Sequence, residues 1–139
     1  MRYKKSGNRI IVRIDRNEEV ISSLKQICAE NNVKAGIITA IGAVNKAEIG
    51  IYDPVSRVYK KEEITGDREI TSLSGNVSIM NNEVYLHLHV NLSDKEFKVV
   101  GGHLNSASVG ATLEAVIEIL EGEFNRERNE QVGLNLLAI

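Results

Sequence analysis

The stretch EVYLHLHVNL, residues 83 to 92, alternates between two kinds of side chain. Val84, Leu86, Leu88, Val90 and Leu92 form an unbroken apolar set, and Tyr85, His87, His89 and Asn91 fill the places between them. Successive side chains of an extended strand point to opposite faces, so this period of two predicts a strand with one face on a core. His87 and His89 then project together from the other face, about 7 Å apart at their Cα atoms. The third and last histidine, His103, lies in GGHL, residues 101 to 104.

Asp94, Lys95 and Glu96 between these pieces are short enough for a hairpin connection, which favours antiparallel pairing. A three-residue loop pairs Ser93 with Phe97, and counting back pairs Asn91 with Val99, His89 with Gly101 and His87 with His103. Paired residues share a face with Cβ atoms about 5 Å apart, so the three imidazoles converge. A two-residue loop would send His103 to the opposite face, and a bulge at Gly101 and Gly102 would re-aim it. Three imidazoles on rigid strands suit zinc or a similar divalent transition metal, with a fourth position left for water or a ligand. The pattern leaves two alternatives open: ordinary polar residues on a solvent-facing sheet, or a subunit interface without metal.

The rest of the chain supplies more strands and one clear helix. NRIIVRI, residues 8 to 14, reads as a strand, and Asp15 with Glu18 three residues later resembles a capping box. Val20, Ile21, Leu24, Ile27 and Cys28 then recur at helical spacing up to ENN, residues 30 to 32. This single apolar stripe requires a sheet to lie on. Strands are predicted at 35 to 44, broken at Gly42, and at 47 to 53, 56 to 64, 69 to 80 and 97 to 104, with a closing strand in VGLNLLAI. TLEAVIEILEG, residues 112 to 122, fits helix and strand periods equally well.

Composition sets limits on function. A chain of 139 residues, 42% apolar and 26% charged, is expected to form one domain over residues 1 to 139. No apolar run approaches the ~20 residues of a membrane span, and MRYKKSGNR lacks a signal-peptide stretch, so a cytoplasmic location is expected. One cysteine, Cys28, excludes a disulfide framework and reads as a buried structural thiol. A net charge of −2 argues against a surface wholly given to nucleic acid. MRYKK and YKKEE, the densest basic clusters, read as solvated edges.

AIGAV (40 to 44), EITSLSGN (69 to 76), HLHV (87 to 90), GGHL (101 to 104), TLEAVIEIL and the final GLNLL occur in the order and spacing of a known family. In this the chain resembles the plant-and-prokaryote-conserved (PPC) domain along nearly its whole length. The resemblance implies an α+β fold: a mostly antiparallel sheet of about seven strands with one packed helix, similar to acetolactate decarboxylase, assembled as a homotrimer. It also implies that residues 112 to 120 are a strand and that His87, His89 and His103 hold the metal of prokaryotic members. Plant members carry non-ligating residues there, and an Arg-Gly-Arg minor-groove element beside the domain that this chain lacks. GDREI (66 to 70) places Asp67 where plant members have Arg.

Two functions are open on this reading. The first is a DNA-binding or regulatory protein, in which Arg2, Lys4, Lys5 and Arg9, tripled in a trimer, supply a basic patch. The second is a metal-dependent, lyase-like enzyme acting on a small keto or hydroxy acid, with the histidines as ligands only. Glu69 is the candidate catalytic carboxylate, able to orient an imidazole or move a proton if it reaches the metal. Arg68 and Arg126 are candidate anion-binding residues.

Overall fold

The computed structural model describes residues 1–139. Alternation of the kind seen in residues 83 to 92 runs through most of the chain and produces long, bent strands. In order they are β1 (Arg2–Ser6), β2 (Arg9–Asp15), α1 (Val20–Glu30), β3 (Gly36–Asp53), β4 (Val58–Met80), β5 (Glu83–Ser93), β6 (Val99–Ile119), β7 (Arg126–Asn129) and β8 (Leu134–Leu137). Six form one sheet in the order β1-β2-β6-β3-β4-β5, and β7 and β8 form a separate hairpin. All these ladders are antiparallel. The long β6 also pairs with β5 at its start, which curls the sheet round on itself.

The fold is thus the expected mostly antiparallel sheet with one helix, built from eight strands in two sheets. Several pieces expected to be separate are continuous. Residues 35 to 44 and 47 to 53 join in β3, 56 to 64 and 69 to 80 in β4, and 97 to 104 and 112 to 122 in β6. Register shifts at Ala40/Gly42 and Val44/Lys46 absorb the bends that the sequence suggests as breaks. A bulge inserts a residue and twists a strand without ending it. Gly42 serves such a bend with a φ of +148°, and a Cβ there would stand 2.3 Å from the Thr112 carbonyl oxygen. The ambiguous segment at 112 to 122 is strand, held between β2 and β3.

The core lies on one face of this sheet. Ile10, Val12 and Ile14 of β2, Leu86, Leu88, Val90 and Leu92 of β5, and Leu113, Ala115 and Ile117 of β6 form one cluster with Val20, Leu24, Ile27 and Cys28 of α1. Burying each larger side chain stabilises the fold by roughly 1.5–3 kcal/mol. Ile21 lies at the margin of this cluster. The helix also starts later than Asp15. Its N-cap is Glu19, whose carboxylate accepts from the Ile21 and Ser22 amides, at 3.0 and 2.6 Å. Asp15 and Glu18 instead close the turn before it, with the Asp15 amide donating to Glu18. At the other end the Asn31 side chain donates to the Ile27 carbonyl at 2.9 Å.

The β5–β6 turn corrects the expected register. Five residues, not three, connect the strands, and Ser93 pairs with Val99 rather than Phe97. Asp94 organises this turn: its carboxylate accepts from the Glu96 and Lys98 amides, both at 2.9 Å, and Phe97 takes a φ of +62°. Asn91 therefore pairs with Gly101, and His89, not His87, pairs with His103. The change is two residues. Because side chains repeat every two residues, His103 stays on the face of His87 and His89.

Candidate metal centre

The three histidines sit on the face of β5 and β6 turned away from the core. His89 and His103 are cross-strand partners, and His87 lies one repeat along β5. Their ring centroids are 5.2 Å (His87 to His89), 5.2 Å (His87 to His103) and 5.7 Å (His89 to His103) apart. One ring nitrogen from each lies within 4.8 Å of the other two. Gly75 of β4 lets the neighbouring strand close in behind, since a Cβ there would stand 1.9 Å from the His87 carbonyl oxygen.

This donor set fits a late first-row ion. A tetrahedral ion with bonds of about 2.0–2.1 Å needs nitrogens roughly 3.4 Å apart, which each ring reaches by moving less than about 1 Å. The charge state suits it too. Burial, then the Arg126 guanidinium and the other two histidines, pushes His87 down to about 4. Burial, then His89 and Arg126, also lowers His103. Both rings are therefore neutral near pH 7, the form that binds a metal.

Arg126 is the residue that sequence periodicity could not place. It starts β7, is 8% exposed and reaches back to the triad. Its Nε donates to Ser78 Oγ at 2.8 Å, Nη1 to the Asn135 carbonyl at 2.7 Å and Nη2 to Asn76 Oδ1 at 2.8 Å. Nη2 also lies 3.3 Å from His87 Nδ1. A guanidinium only donates, so this contact requires a lone pair on Nδ1. The guanidinium carbon stands 4.9 Å from the Tyr85 ring centroid, a cation–π contact. Asn76 and Ser78 are the β4 partners of His87 and Tyr85, so one arginine bridges two rungs of the ladder that flank the Val77–Leu86 pair.

The hairpin that begins with Arg126 forms one wall of a cleft of roughly 940 Å³ over the histidines. The Tyr52 hydroxyl donates to the Val132 carbonyl at 2.8 Å and Arg57 to the Gln131 carbonyl at 3.0 Å, holding the hairpin tip over the sheet. Val132, Leu134 and Leu136 line this wall, with Tyr59 and Asn105 opposite. The Tyr59 hydroxyl donates to Asn105 Oδ1 at 3.0 Å, leaving the buried Asn105 Nδ2 without an acceptor.

Glu69 is elsewhere. It stands opposite Ser93, four residues along β5 from His89, a separation of roughly 13 Å. There it lines another cleft with Arg16, Arg68 and Asp94. Arg68 pairs with Asp94 at 3.3 Å. The fold of one chain thus brings neither Glu69 nor Arg68 to the histidines, and the expected role for Glu69 beside them is not supported within the chain.

Three relatives share both the fold and the length of this chain. A protein from Bacteroides thetaiotaomicron described as a candidate DNA-binding protein is 34% identical, with a TM-score of 0.95 over 98% of this chain and 95% of its own. A metal-containing protein from Archaeoglobus fulgidus is also 34% identical, with a TM-score of 0.88 over 100% and 99%. A plant- and prokaryote-conserved protein from Pyrococcus horikoshii is 29% identical, with a TM-score of 0.87 over 96% and 92%. A Staphylococcus aureus protein similar to alpha-acetolactate decarboxylase shares the fold alone, at 13% identity and a TM-score of 0.56 over 88% and 56%. A search among curated proteins found no match. The profile of the Plants and Prokaryotes Conserved domain, abbreviated PCC or PPC, matches residues 1–121 and so takes in the helix, the six-stranded sheet and all three histidines. By that match, and by the continuous strands that carry it, this chain belongs to the Plants and Prokaryotes Conserved domain family.

Proposed function

We propose that this single-domain protein is a homotrimeric, metal-binding regulator that acts at DNA, with His87, His89 and His103 holding zinc or a similar divalent ion. The observation that carries the metal is the meeting of three imidazoles within 4.8 Å on adjacent strands. The metal-containing relative at 34% identity supports it. Self-association is supported by Ile11, Ile37 and Ile41, which are 47%, 47% and 60% exposed on one face of β2 and β3. Apolar side chains grouped on an outer sheet face favour a protein partner.

The DNA role rests on the Bacteroides relative and on β1, an exposed edge strand carrying Arg2, Lys4 and Lys5. Three copies would triple the number of these cations that one assembly presents to a duplex. The test is fluorescence anisotropy of a labelled duplex titrated with micromolar trimer at physiological salt. A rise in anisotropy that falls as salt increases is the expected result. No rise would remove DNA from the reading and leave the metal site standing.

A second reading, a metal-dependent lyase acting on a small keto or hydroxy acid, is favoured by the open cleft above the triad and by Arg126 at its edge. A divalent ion bound there supplies Lewis-acid polarisation of a carbonyl. The histidines are ligands on this reading, and Tyr52, Tyr59 and Tyr85 bring hydroxyls to the cleft. Decarboxylation of 2-hydroxy-2-methyl-3-oxobutanoate by zinc-loaded protein, followed as released carbon dioxide, separates this reading from the regulatory one.

A further inference from the structure

The cleft above the histidines has one cation, Arg126, and several donors but no anion. It has 18 lining residues, and none is Asp or Glu, although the chain has 19 acidic residues. Arg126 is nearly buried, yet Ser78, Asn135, Asn76 and His87 are all uncharged partners. A buried cation without a counter-ion is costly, and a divalent ion nearby would deepen the imbalance. Asn105 Nδ2 adds a buried donor with nothing to donate to. Charge and hydrogen bonding therefore ask for the same object, an oxygen-bearing anion.

The wall formed by the hairpin narrows the choice. Val132, Leu134 and Leu136 give this side of the cleft an apolar lining that a bare phosphate would not use. We propose that the cleft binds a small carboxylic acid with an apolar substituent, its carboxylate at Arg126 and Asn105 and its apolar part against the hairpin. This inference rests on the metal-site reading and names the ligand class of that site. The His87 lone pair that accepts from Arg126 cannot also bind an ion. If the ion takes Nε2 instead, Nδ1 carries a proton and no longer accepts. In either case an occupied centre releases an N–H of Arg126 for the carboxylate. Arg126 and the hairpin lie beyond the residues matched by the family profile.

Calorimetry on zinc-loaded protein tests the proposal, with 2-hydroxyisovalerate, its uncharged amide and inorganic phosphate as probes. The acid is expected to bind at least tenfold more tightly than the amide or phosphate. Arg126→Gln should weaken the acid at least tenfold while zinc per chain, read by plasma mass spectrometry, is unchanged. Asn76→Asp keeps an acceptor for Arg126 but adds a built-in carboxylate, and should weaken the acid similarly with the hairpin in place; it decides the matter if Arg126→Gln fails to fold. Equal binding of acid and amide, tighter binding of phosphate, or wild-type affinity in the folded variants would overturn the proposal while leaving the metal site intact. Failure of the wild-type protein to take up zinc would overturn the metal reading and this inference with it.

Discussion

His89 and His103 face each other directly across β5 and β6, their ring centroids 5.7 Å apart and their planes at 86°. His87 completes the group from one repeat further along β5, where its backbone pairs with Asn76 of β4. Each ring is placed by backbone pairing rather than by a flexible loop. That arrangement makes all three indispensable to the proposed centre.

Protein purified without a histidine tag is expected to contain close to one zinc or similar ion per chain. Replacing any one of the three histidines by alanine should lower zinc affinity by more than about 100-fold, beyond what loss of an outer partner costs. Plasma mass spectrometry after equilibration with buffered zinc reads both outcomes. Circular dichroism should stay unchanged, because the core face of β5 is untouched.

Self-association is expected to give three times the 15.4 kDa chain mass in sedimentation equilibrium. Ile41→Glu places a carboxylate across from Glu114 on the exposed face and should shift the mass toward smaller species. An unchanged trimer in that variant would move the contact surface away from Ile11, Ile37 and Ile41.

Cys28 is fully buried, and burial pushes its thiol up to about 12. Thiolate is the reactive form, so a disulfide reagent at pH 8 should leave the folded protein unmodified and label it promptly in denaturant. The folded value lies above the ordinary 9.0, so this group's contribution is fully present below pH 9 and is lost as pH rises from 9 toward 12. Stability should fall over that window in wild type, and less steeply in Cys28→Ala.

The turn between β5 and β6 combines a strained residue with a strong organiser. Phe97 is 87% exposed at a φ of +62°. Left-handed backbone costs a side-chain-bearing residue roughly 1–2 kcal/mol. Glycine removes that cost but adds roughly 0.5–1 kcal/mol of unfolded-state entropy. Phe97→Gly is therefore expected to stabilise the protein by up to about 1.5 kcal/mol in chemical denaturation. Asp94→Ala should destabilise it, because the Glu96 and Lys98 amides lose their acceptor.

The polar face of β5 was readable because Val84 to Leu92 define a core side without exception. His103 was readable only as to face. Its partner depends on how Asp94 gathers five residues into the turn, a detail carried by side-chain hydrogen bonds rather than by periodicity. The helix start was displaced because Glu19 caps through its own carboxylate, which also accepts from the Ala107 amide of β6, a contact no local pattern announces. Long strands looked like short ones because bulges near Gly42 and Val44 resemble breaks. Arg126 could not be placed at all, since its position is fixed by tertiary bonds to Asn76, Ser78 and Asn135. Glu69 shares a face-level pattern with its neighbours, but its distance along the ladder is set by a pairing that only the folded sheet defines.

The two-residue correction in the β5–β6 register has a consequence for sequence drift. A hairpin that slips by an even number of residues keeps the same set of side chains over the cleft and only changes which of them are neighbours. An odd slip exchanges His103 for Gly102 or Leu104 and carries the imidazole into the core side. Natural variation in this turn should therefore be permissive toward paired insertions and deletions and intolerant of single ones, a counting rule that acts on the chain's length rather than on any one side chain.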